Sequence, residues 1–206
     1  MLGRVASYGP LVLIMVVGAV LAALGVVWLL ARGLLRPPRM SDGKAAWVLK
    51  RLSPADLHLP FEEVEFFVRD ERDGSRLRLA AWWIARPGAD RTIVLIHGYA
   101  DAKVGAIAWA PMFHRLGLNI LAVDLRAHGQ SGGVETTGGW HERHDIAAVV
   151  DDLAAARAGQ CRRVLLFGAS FGAAVALAAA ELRAGVAGLV LDSPIADFRT
   201  ASLAHF

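Results

Sequence analysis

Apolar residues divide the chain into an N-terminal apolar segment and a longer region in which short apolar runs alternate with helical patterns. The segment from Leu11 to Ala31 is free of charge over about 21 residues, which would span roughly 31 Å as a helix, the thickness of a bilayer's hydrocarbon core. This length predicts a membrane-spanning helix. A cleaved signal peptide is the alternative, although its apolar region is normally shorter and no good small-x-small cleavage site follows Leu24.

The charges that flank this segment predict its orientation. Arg4 precedes it, and a larger group of basic residues follows it: Arg32, Arg36, Arg39 and Lys44. Cytoplasmic flanks carry the excess of Lys and Arg, so we expect a single-pass membrane protein whose C-terminal part is cytoplasmic. The sequence Arg-Pro-Pro-Arg at 36–39 predicts a stiff linker, because proline cannot continue a helix. We therefore expect an anchor and linker over residues 1–40 and one domain over residues 41–206.

The pattern of the second region predicts an α/β fold. The predicted strands are 62–68, 77–84, 92–96, 119–123, 164–167 and 186–191, and the predicted helices are 104–116, 140–158 and 171–184. A turn at Asp73 and Gly74 joins the first two strands, and Thr92–Ile96 is a continuous apolar run, as in strands buried on both faces. An antiparallel hairpin followed by alternating strands and helices predicts a doubly wound, mostly parallel sheet. Ligands bind at the carboxyl ends of the strands in such sheets.

The residues after the fifth predicted strand form a Gly-x-Ser-x-Gly motif, Gly168-Ala169-Ser170-Phe171-Gly172. A strand–motif–helix context is that of the nucleophile elbow, a strained turn that presents a serine hydroxyl above the sheet. Glycines at the two outer positions let neighbouring backbone pass closely. We therefore predict that Ser170 is a nucleophile at the N-terminus of a helix, whose dipole favours developing negative charge. The alternative is a glycine-lined turn in which Ser170 only caps the helix.

The loops after the third and fourth predicted strands also carry candidate residues. Gly98 is expected to permit a tight turn, so that the backbone N–H of Tyr99, together with that of Phe171, forms an oxyanion hole. His97 is interpreted as a histidine that holds this loop rather than as a catalytic base. After the fourth strand, we expect a salt bridge between Asp124 and Arg126 to fix the loop and expect His128 to fix it as well.

Composition and charge exclude several other functions. The net charge of +3 comes from scattered basic residues, which does not indicate a nucleic-acid surface. Cys161 is the single cysteine, so neither an intrachain disulfide nor a cysteine-based metal site can form. No dinucleotide motif is present, and His141 and His144 lack the zinc-protease pattern, so they are interpreted as lying on a solvated helix face. We expect neither a cofactor nor a metal.

Four motifs in order resemble the α/β-hydrolase superfamily: VLIHGYAD at 94–101, DLRAHGQSGG at 124–133, GASFGA at 168–173 and LVLDSP at 189–194. The chain looks most similar to its serine aminopeptidase and prolyl-oligopeptidase-like branch, which includes membrane-anchored bacterial members. The resemblance covers roughly residues 60–200. It implies the first six of eight strands, a serine nucleophile, an acid that usually follows the seventh strand and a histidine that follows the eighth.

Because the chain stops at Phe206, soon after the sixth predicted strand, we expect a C-terminally truncated chain whose catalytic acid and base lie beyond Phe206. Asp192 and His205 follow Ser170 in the right order and form an alternative pair, against simpler roles as a loop cap and a frayed C-terminal residue. The expected function is serine hydrolysis of ester or amide bonds in a small-molecule or peptide acyl substrate, with this chain alone inactive. The alternative is a non-catalytic, membrane-tethered interaction module.

Overall fold

The N-terminal unit is a single long helix. The structure is a computed structural model that describes residues 8–194, and the chain divides into two compact units between Arg36 and Pro37. The first unit contains α1 (Gly9–Leu35), with a proline in its first turn, where the missing N–H costs no hydrogen bond. By length and composition α1 can cross a membrane, although a signal sequence near the N-terminus meets the same criteria.

The second unit is built on one six-stranded sheet. Its strands are β1 (Glu62–Arg69), β2 (Arg76–Ile84), β3 (Arg91–Ile96), β4 (Asn119–Val123), β5 (Arg163–Ala169) and β6 (Val186–Asp192). Its helices are α2 (Asp42–Leu49), α3 (Lys103–Ala106), α4 (Ala110–Arg115), α5 (Glu142–Ala156) and α6 (Phe171–Leu182), with 3-10 turns at Pro54–Leu57 and Ile107–Trp109.

The order and direction of the strands confirm the predicted fold class. The sheet runs β1-β2-β4-β3-β5-β6, with β1 antiparallel to β2 and β2 antiparallel to β4. The remaining neighbours are parallel, so β3, β4, β5 and β6 all end at the same edge. We call this the carboxyl edge of the sheet, and the loops that leave it contain the candidate site.

Apolar side chains pack on both faces of the sheet. Trp82 and Trp83, adjacent in β2, point into different clusters, because successive side chains of a strand alternate between faces. One cluster packs against α5 and α6, and the other packs against α2, α3 and α4. Val94 and Leu95 belong to opposite clusters in the same way, which explains why β3 is continuously apolar.

The predicted helix over 104–116 is wrong in one respect, because three short elements occupy that stretch. A 3-10 turn at Ile107–Trp109 separates α3 from α4, and Pro111 lies in the first turn of α4. Proline lacks an N–H and clashes with the preceding turn, so it is tolerated where a helix begins but not inside one. A continuous helix is therefore replaced by a restart at Ala110.

Candidate active site

Ser170 lies in a strained turn between β5 and α6. Its backbone has φ +51° and ψ −115°, a region that residues with a Cβ rarely occupy. The turn is fixed on both sides: the Ser170 N–H donates to the carbonyl of Asp192 at 2.8 Å, and the Ser170 carbonyl accepts the N–H of Ala173 at 3.0 Å. The side chain is exposed and makes no capping hydrogen bond to α6, which argues against a purely capping role.

The two glycines of the motif are required by close backbone contacts. A Cβ at Gly168 would collide with the carbonyl of Gly172 in the first turn of α6. A Cβ at Gly172 would collide with the carbonyls of Ile96 and His97 at the end of β3. The start of α6 is therefore pressed against β3 and β5, and any larger residue at either position must push the helix away.

The loop after β3 runs beside this turn. A Cβ built on Gly98 would lie 3.5 Å from the Ala169 carbonyl oxygen and 3.6 Å from the Cβ of Ser170, both ordinary contact distances. Space alone therefore does not require glycine at position 98, and its role in the turn stays a prediction. The left-handed residue of the loop is Ala100, with φ +58°, and the turn is closed by the Asp101 N–H donating to the Gly98 carbonyl. Tyr99 stands next to Gly98 with its side chain 41% exposed.

His97 joins the loops that follow β3 and β4. Its Nδ1 lies 2.7 Å from the Gly98 carbonyl, and its Nε2 accepts the backbone N–H of Leu125 at 3.0 Å. A carbonyl can only accept, so Nδ1 carries the proton and the ring is neutral. Burial lowers the pKa of His97, which keeps it neutral. With both nitrogens engaged, His97 behaves as the structural histidine that we expected.

His128 is a second buried histidine in the same region. Its Nδ1 lies 2.8 Å from the carbonyl of Arg126, so His128 holds its own loop, as expected. Its ring meets that of Tyr99 edge-on and stacks against that of Phe171, at 5.9 and 6.3 Å between centroids, and its centroid lies 5.0 Å from that of His97. Burial lowers the pKa of His128 to about 4. This imidazole therefore packs against Tyr99 and Phe171, the two residues whose N–H groups were predicted to form an oxyanion hole.

The predicted salt bridge between Asp124 and Arg126 is wrong, because each side chain has another buried partner. Asp124 accepts the backbone N–H and the ammonium of Lys103, at 2.6 and 2.8 Å, and the N–H of Gln130 at 2.9 Å. Gly129, at φ +45°, lies against the Asp124 carboxylate, where a Cβ would collide with it. Asp124 thus ties the loop after β4 to α3.

Arg126 points to the opposite side of the sheet. It makes two hydrogen bonds to Asp145 on α5, at 2.6 and 2.7 Å, and one to Asp70 at 3.3 Å. Burial opposes the charge of Arg126, but the bonds to Asp145 outweigh it and raise the pKa of the guanidinium. Asp124 is held by Lys103 of α3 and Arg126 by Asp145 of α5, so the two charged groups do not meet.

Three further residues organise these loops through contacts that were not predicted from the sequence. Lys103, the first residue of α3, is buried, although a lysine usually indicates a solvated position. Glu142 accepts hydrogen bonds from Thr137 and Gly139, which closes the loop before α5. Arg39 donates to the carbonyls of Gly129, Ser131 and Gly133, each at 2.7 Å. Only Glu142 had a local signal, since two threonines lie five and six residues before it.

Asp192 lies at the end of β6, paired in register with Ala169. Its carbonyl accepts the Ser170 N–H, so its backbone adjoins the turn. Its carboxylate accepts a hydrogen bond from Ser193 at 3.0 Å. His205, the partner considered for it, lies outside the described residues.

Within residues 8–194, no histidine hydrogen-bonds to Ser170. His97 and His128 bond to backbone, and Nε2 of His114 lies 3.3 Å from the Ala85 carbonyl. His141 and His144 instead flank Glu71, each with Nδ1 at 3.4 Å from one of its carboxylate oxygens. In the described part of the chain, no group of three or more His, Cys, Asp or Glu side chains is arranged to hold a metal.

Comparisons with known proteins agree with this geometry. The model of the alpha/beta hydrolase family matches residues 93–205, which include the turn at Ser170. The esterase Pf2001 of Pyrococcus furiosus superposes with a TM-score of 0.65 at 30% identity, over 78% of this chain and 57% of that one. A putative hydrolase of Agrobacterium vitis shares the fold, with a TM-score of 0.56 at 24% identity, over 70% of this chain and 61% of that one.

Curated relatives include the uncharacterized protein YqkD of Bacillus subtilis, 31% identical over 69% of this chain and 47% of YqkD. The uncharacterized protein MT2364 of Mycobacterium tuberculosis is 29% identical over 68% of this chain and 48% of that protein. This chain thus spans about half the length of the curated relatives that it matches. A family match over more than half of the sequence, on a sheet of the same kind, shows that the chain belongs to the α/β-hydrolase family.

Proposed function

We propose that this chain carries the nucleophile of a membrane-anchored serine hydrolase, and that Ser170 forms an acyl-enzyme with an ester or amide substrate. The observation that carries the proposal is the backbone of Ser170, whose φ of +51° persists in a turn held by two glycines that tolerate no Cβ. A scaffold needs no strained, exposed serine at the end of a strand, whereas a nucleophile does.

The chemistry proposed for this site proceeds in two stages. The Ser170 hydroxyl oxygen attacks the acyl carbon as its proton passes to a base, and the carbonyl oxygen becomes an oxyanion that accepts hydrogen bonds from the N–H groups of Tyr99 and Phe171. The intermediate then expels an alcohol or amine, which takes the proton from the base. Water attacks the resulting ester in the same way, releasing the acid and restoring the serine. No metal or cofactor takes part in this scheme.

The base and acid of this scheme are proposed to come from residues that follow the described part of the chain. The longer relatives, of which this chain spans about half, leave room for such residues. Asp192 with His205 is the second arrangement, supported by the hydrogen bond between the backbone of Asp192 and that of Ser170. An acid there would have to leave Ser193 and turn toward an imidazole.

Anchoring is proposed on the basis of α1. Its length suits a bilayer, and the basic residues that follow it favour a cytoplasmic location for the domain. The proposed domain organisation is an anchor and linker over residues 1–40 and a hydrolase domain over residues 41–206. An ester is the first substrate class to test, because the similar Pyrococcus protein is an esterase.

Turnover of p-nitrophenyl esters tests the proposal, with a version of the protein that continues past Phe206 compared with the 206-residue chain. The longer version should hydrolyse these esters near the enzyme median of roughly 10 s⁻¹. Ser170→Ala should abolish this turnover. The control Ser75→Ala, which changes an exposed serine in a turn, should leave it unchanged. The shorter chain should show only residual activity, because a serine without its base is a weak nucleophile. Comparable turnover by the shorter chain that vanished in His205→Ala would favour the triad of Ser170, Asp192 and His205.

A non-catalytic, membrane-tethered interaction module is the second candidate. It is favoured by one observation, that no imidazole within residues 8–194 hydrogen-bonds to Ser170. A folded longer version with no turnover on ester or amide substrates would support it. Turnover that depends on Ser170 would exclude it.

A further inference from the structure

The outer face of α2 exposes apolar side chains although the helix itself is firmly attached. Trp47 is 83% exposed, Val48 is 52% exposed and Leu52, just after the helix, is 49% exposed. A tryptophan is rarely exposed to this extent in a soluble domain, and adjacent exposed apolar residues mark an interaction surface. We call Trp47, Val48 and Leu52 the α2 face.

The α2 face is held in place by contacts on its inner side. Ala45 is buried, and Met40 and Leu49 pack against the cluster that covers this side of the sheet. Ser41 caps the helix, accepting the backbone N–H of Lys44. Just before it, the Arg39 guanidinium donates to three carbonyls of the loop after β4. Because these residues already occupy the inner side of α2, Trp47 faces outward.

Basic residues surround the α2 face. Lys44 and Lys50 are exposed, Arg51 is partly exposed, and Asp42 is the one acidic residue of the helix itself. Tryptophan and lysine together suit the interface of an anionic bilayer, where the indole ring lies among the headgroups and the ammonium groups meet phosphate. A protein partner would match the apolar residues, but the flanking positive charge and the sequence position favour lipid.

Residues 36–41 alone separate α1 from α2, so a bilayer that holds α1 keeps α2 close to its surface. We propose that the α2 face is a membrane contact that lies on the headgroup region of an anionic bilayer. This inference uses the proposed membrane span but not the proposed chemistry. Because α2 borders Lys103 and Asp124 at the carboxyl edge of the sheet, the contact would turn the edge that carries Ser170 toward lipid.

Site-specific fluorescence on the whole chain in nanodiscs tests this contact. In a Cys161→Ala background, Val48→Cys and Asp90→Cys are each labelled with an environment-sensitive dye. Asp90 is the control position, because it is exposed just before β3, at the edge of the sheet opposite the carboxyl edge. In discs of phosphatidylglycerol and phosphatidylcholine, the dye at 48 should emit further to the blue and resist iodide quenching, whereas the dye at 90 should not. Adding Trp47→Glu, or Lys44→Glu with Lys50→Glu, should restore iodide access at 48.

Three results would overturn the proposal. The first is equal iodide access at 48 and 90 in anionic discs. The second is equal protection at 48 in a lipid-free amphipathic polymer, which would mean that protein covers the face. The third is protection that survives both sets of charge substitutions. A chain that does not copurify with discs at all would instead refute the membrane span, so the two failures are distinguishable without any activity measurement.

Discussion

Replacing Asp145 with alanine should destabilise the domain more than any change to a surface ion pair, because it leaves a buried guanidinium without its main partner. Arg126 and Asp145 have side chains 1% exposed, and two hydrogen bonds of 2.6 and 2.7 Å join them. After the substitution Arg126 keeps only Asp70, at 3.3 Å, which also binds Arg72. Breaking such a buried pair costs about 3–5 kcal/mol, against a total stability of about 5–15 kcal/mol.

The same helix provides a matched control. Asp151 also lies on α5 and contacts an arginine, Arg183, but both side chains are nearly half exposed. Asp151→Ala should therefore cost less than about 1 kcal/mol. Urea denaturation of the chain in non-ionic detergent, followed by tryptophan fluorescence, measures both. With a slope of about 2 kcal/mol per M, the Asp145→Ala midpoint should fall by about 1.5–2.5 M and the control midpoint by less than about 0.5 M.

Adding Arg126→Met to Asp145→Ala should recover part of the lost stability, because the cost arises from an unpaired buried charge and not from the missing carboxylate itself. Equal losses for Asp145→Ala and Asp151→Ala would refute this reasoning. So would a double variant less stable than Asp145→Ala alone, since it would mean that Arg126 stabilises the fold without its partner.

Three further predictions concern the turn, the histidines and the anchor. Gly172→Ala should lower the free energy of unfolding by about 1–3 kcal/mol and suppress reaction of Ser170 with acylating probes, because the new Cβ would collide with the end of β3. Gly159→Ala is the control, since open space surrounds Gly159, and it should change neither. His128 has a folded-state pKa of about 4, below its unfolded value of about 6.5, so the unfolded state binds its proton first. His128 should therefore lower the stability by up to about 3 kcal/mol as the pH drops from about 6.5 to 4. His128→Gln should reduce this fall in the urea midpoint and leave the part that comes from His97, whose pKa burial also lowers. The full chain should stay with membranes when they are washed with alkali, whereas a version lacking residues 1–36 should be released. A full chain found in the soluble fraction would contradict the proposed anchor.

The fold was predictable because its signals are local. The apolar run of β3 and the glycines around Ser170 indicate a buried strand and a tight turn without reference to distant residues. The restart of the helix at Ala110 was also encoded locally, in Pro111, and a strict application of proline's preference for the first turn would have predicted it.

The partners of charged side chains were not predictable in the same way. Asp124 pairs with Lys103 and Arg126 with Asp145, contacts that span about twenty residues and depend on how loops and helices cross the sheet edge. Nearness in sequence suggested the pair Asp124–Arg126, but the two side chains are held by different helices, Asp124 by α3 and Arg126 by α5. Arg39 is the extreme case, since its carbonyl partners lie some ninety residues away.

The location of a fluorophosphonate adduct tests the central claim most directly. In a version of the protein that continues past Phe206, the probe should modify one serine, and the modified peptide found by mass spectrometry should contain Ser170, the exposed residue of the strained turn. Ser170→Ala should abolish the adduct and Ser75→Ala should leave it unchanged. An adduct on another serine, or labelling that persists in Ser170→Ala, would contradict the assignment of Ser170 as the nucleophile.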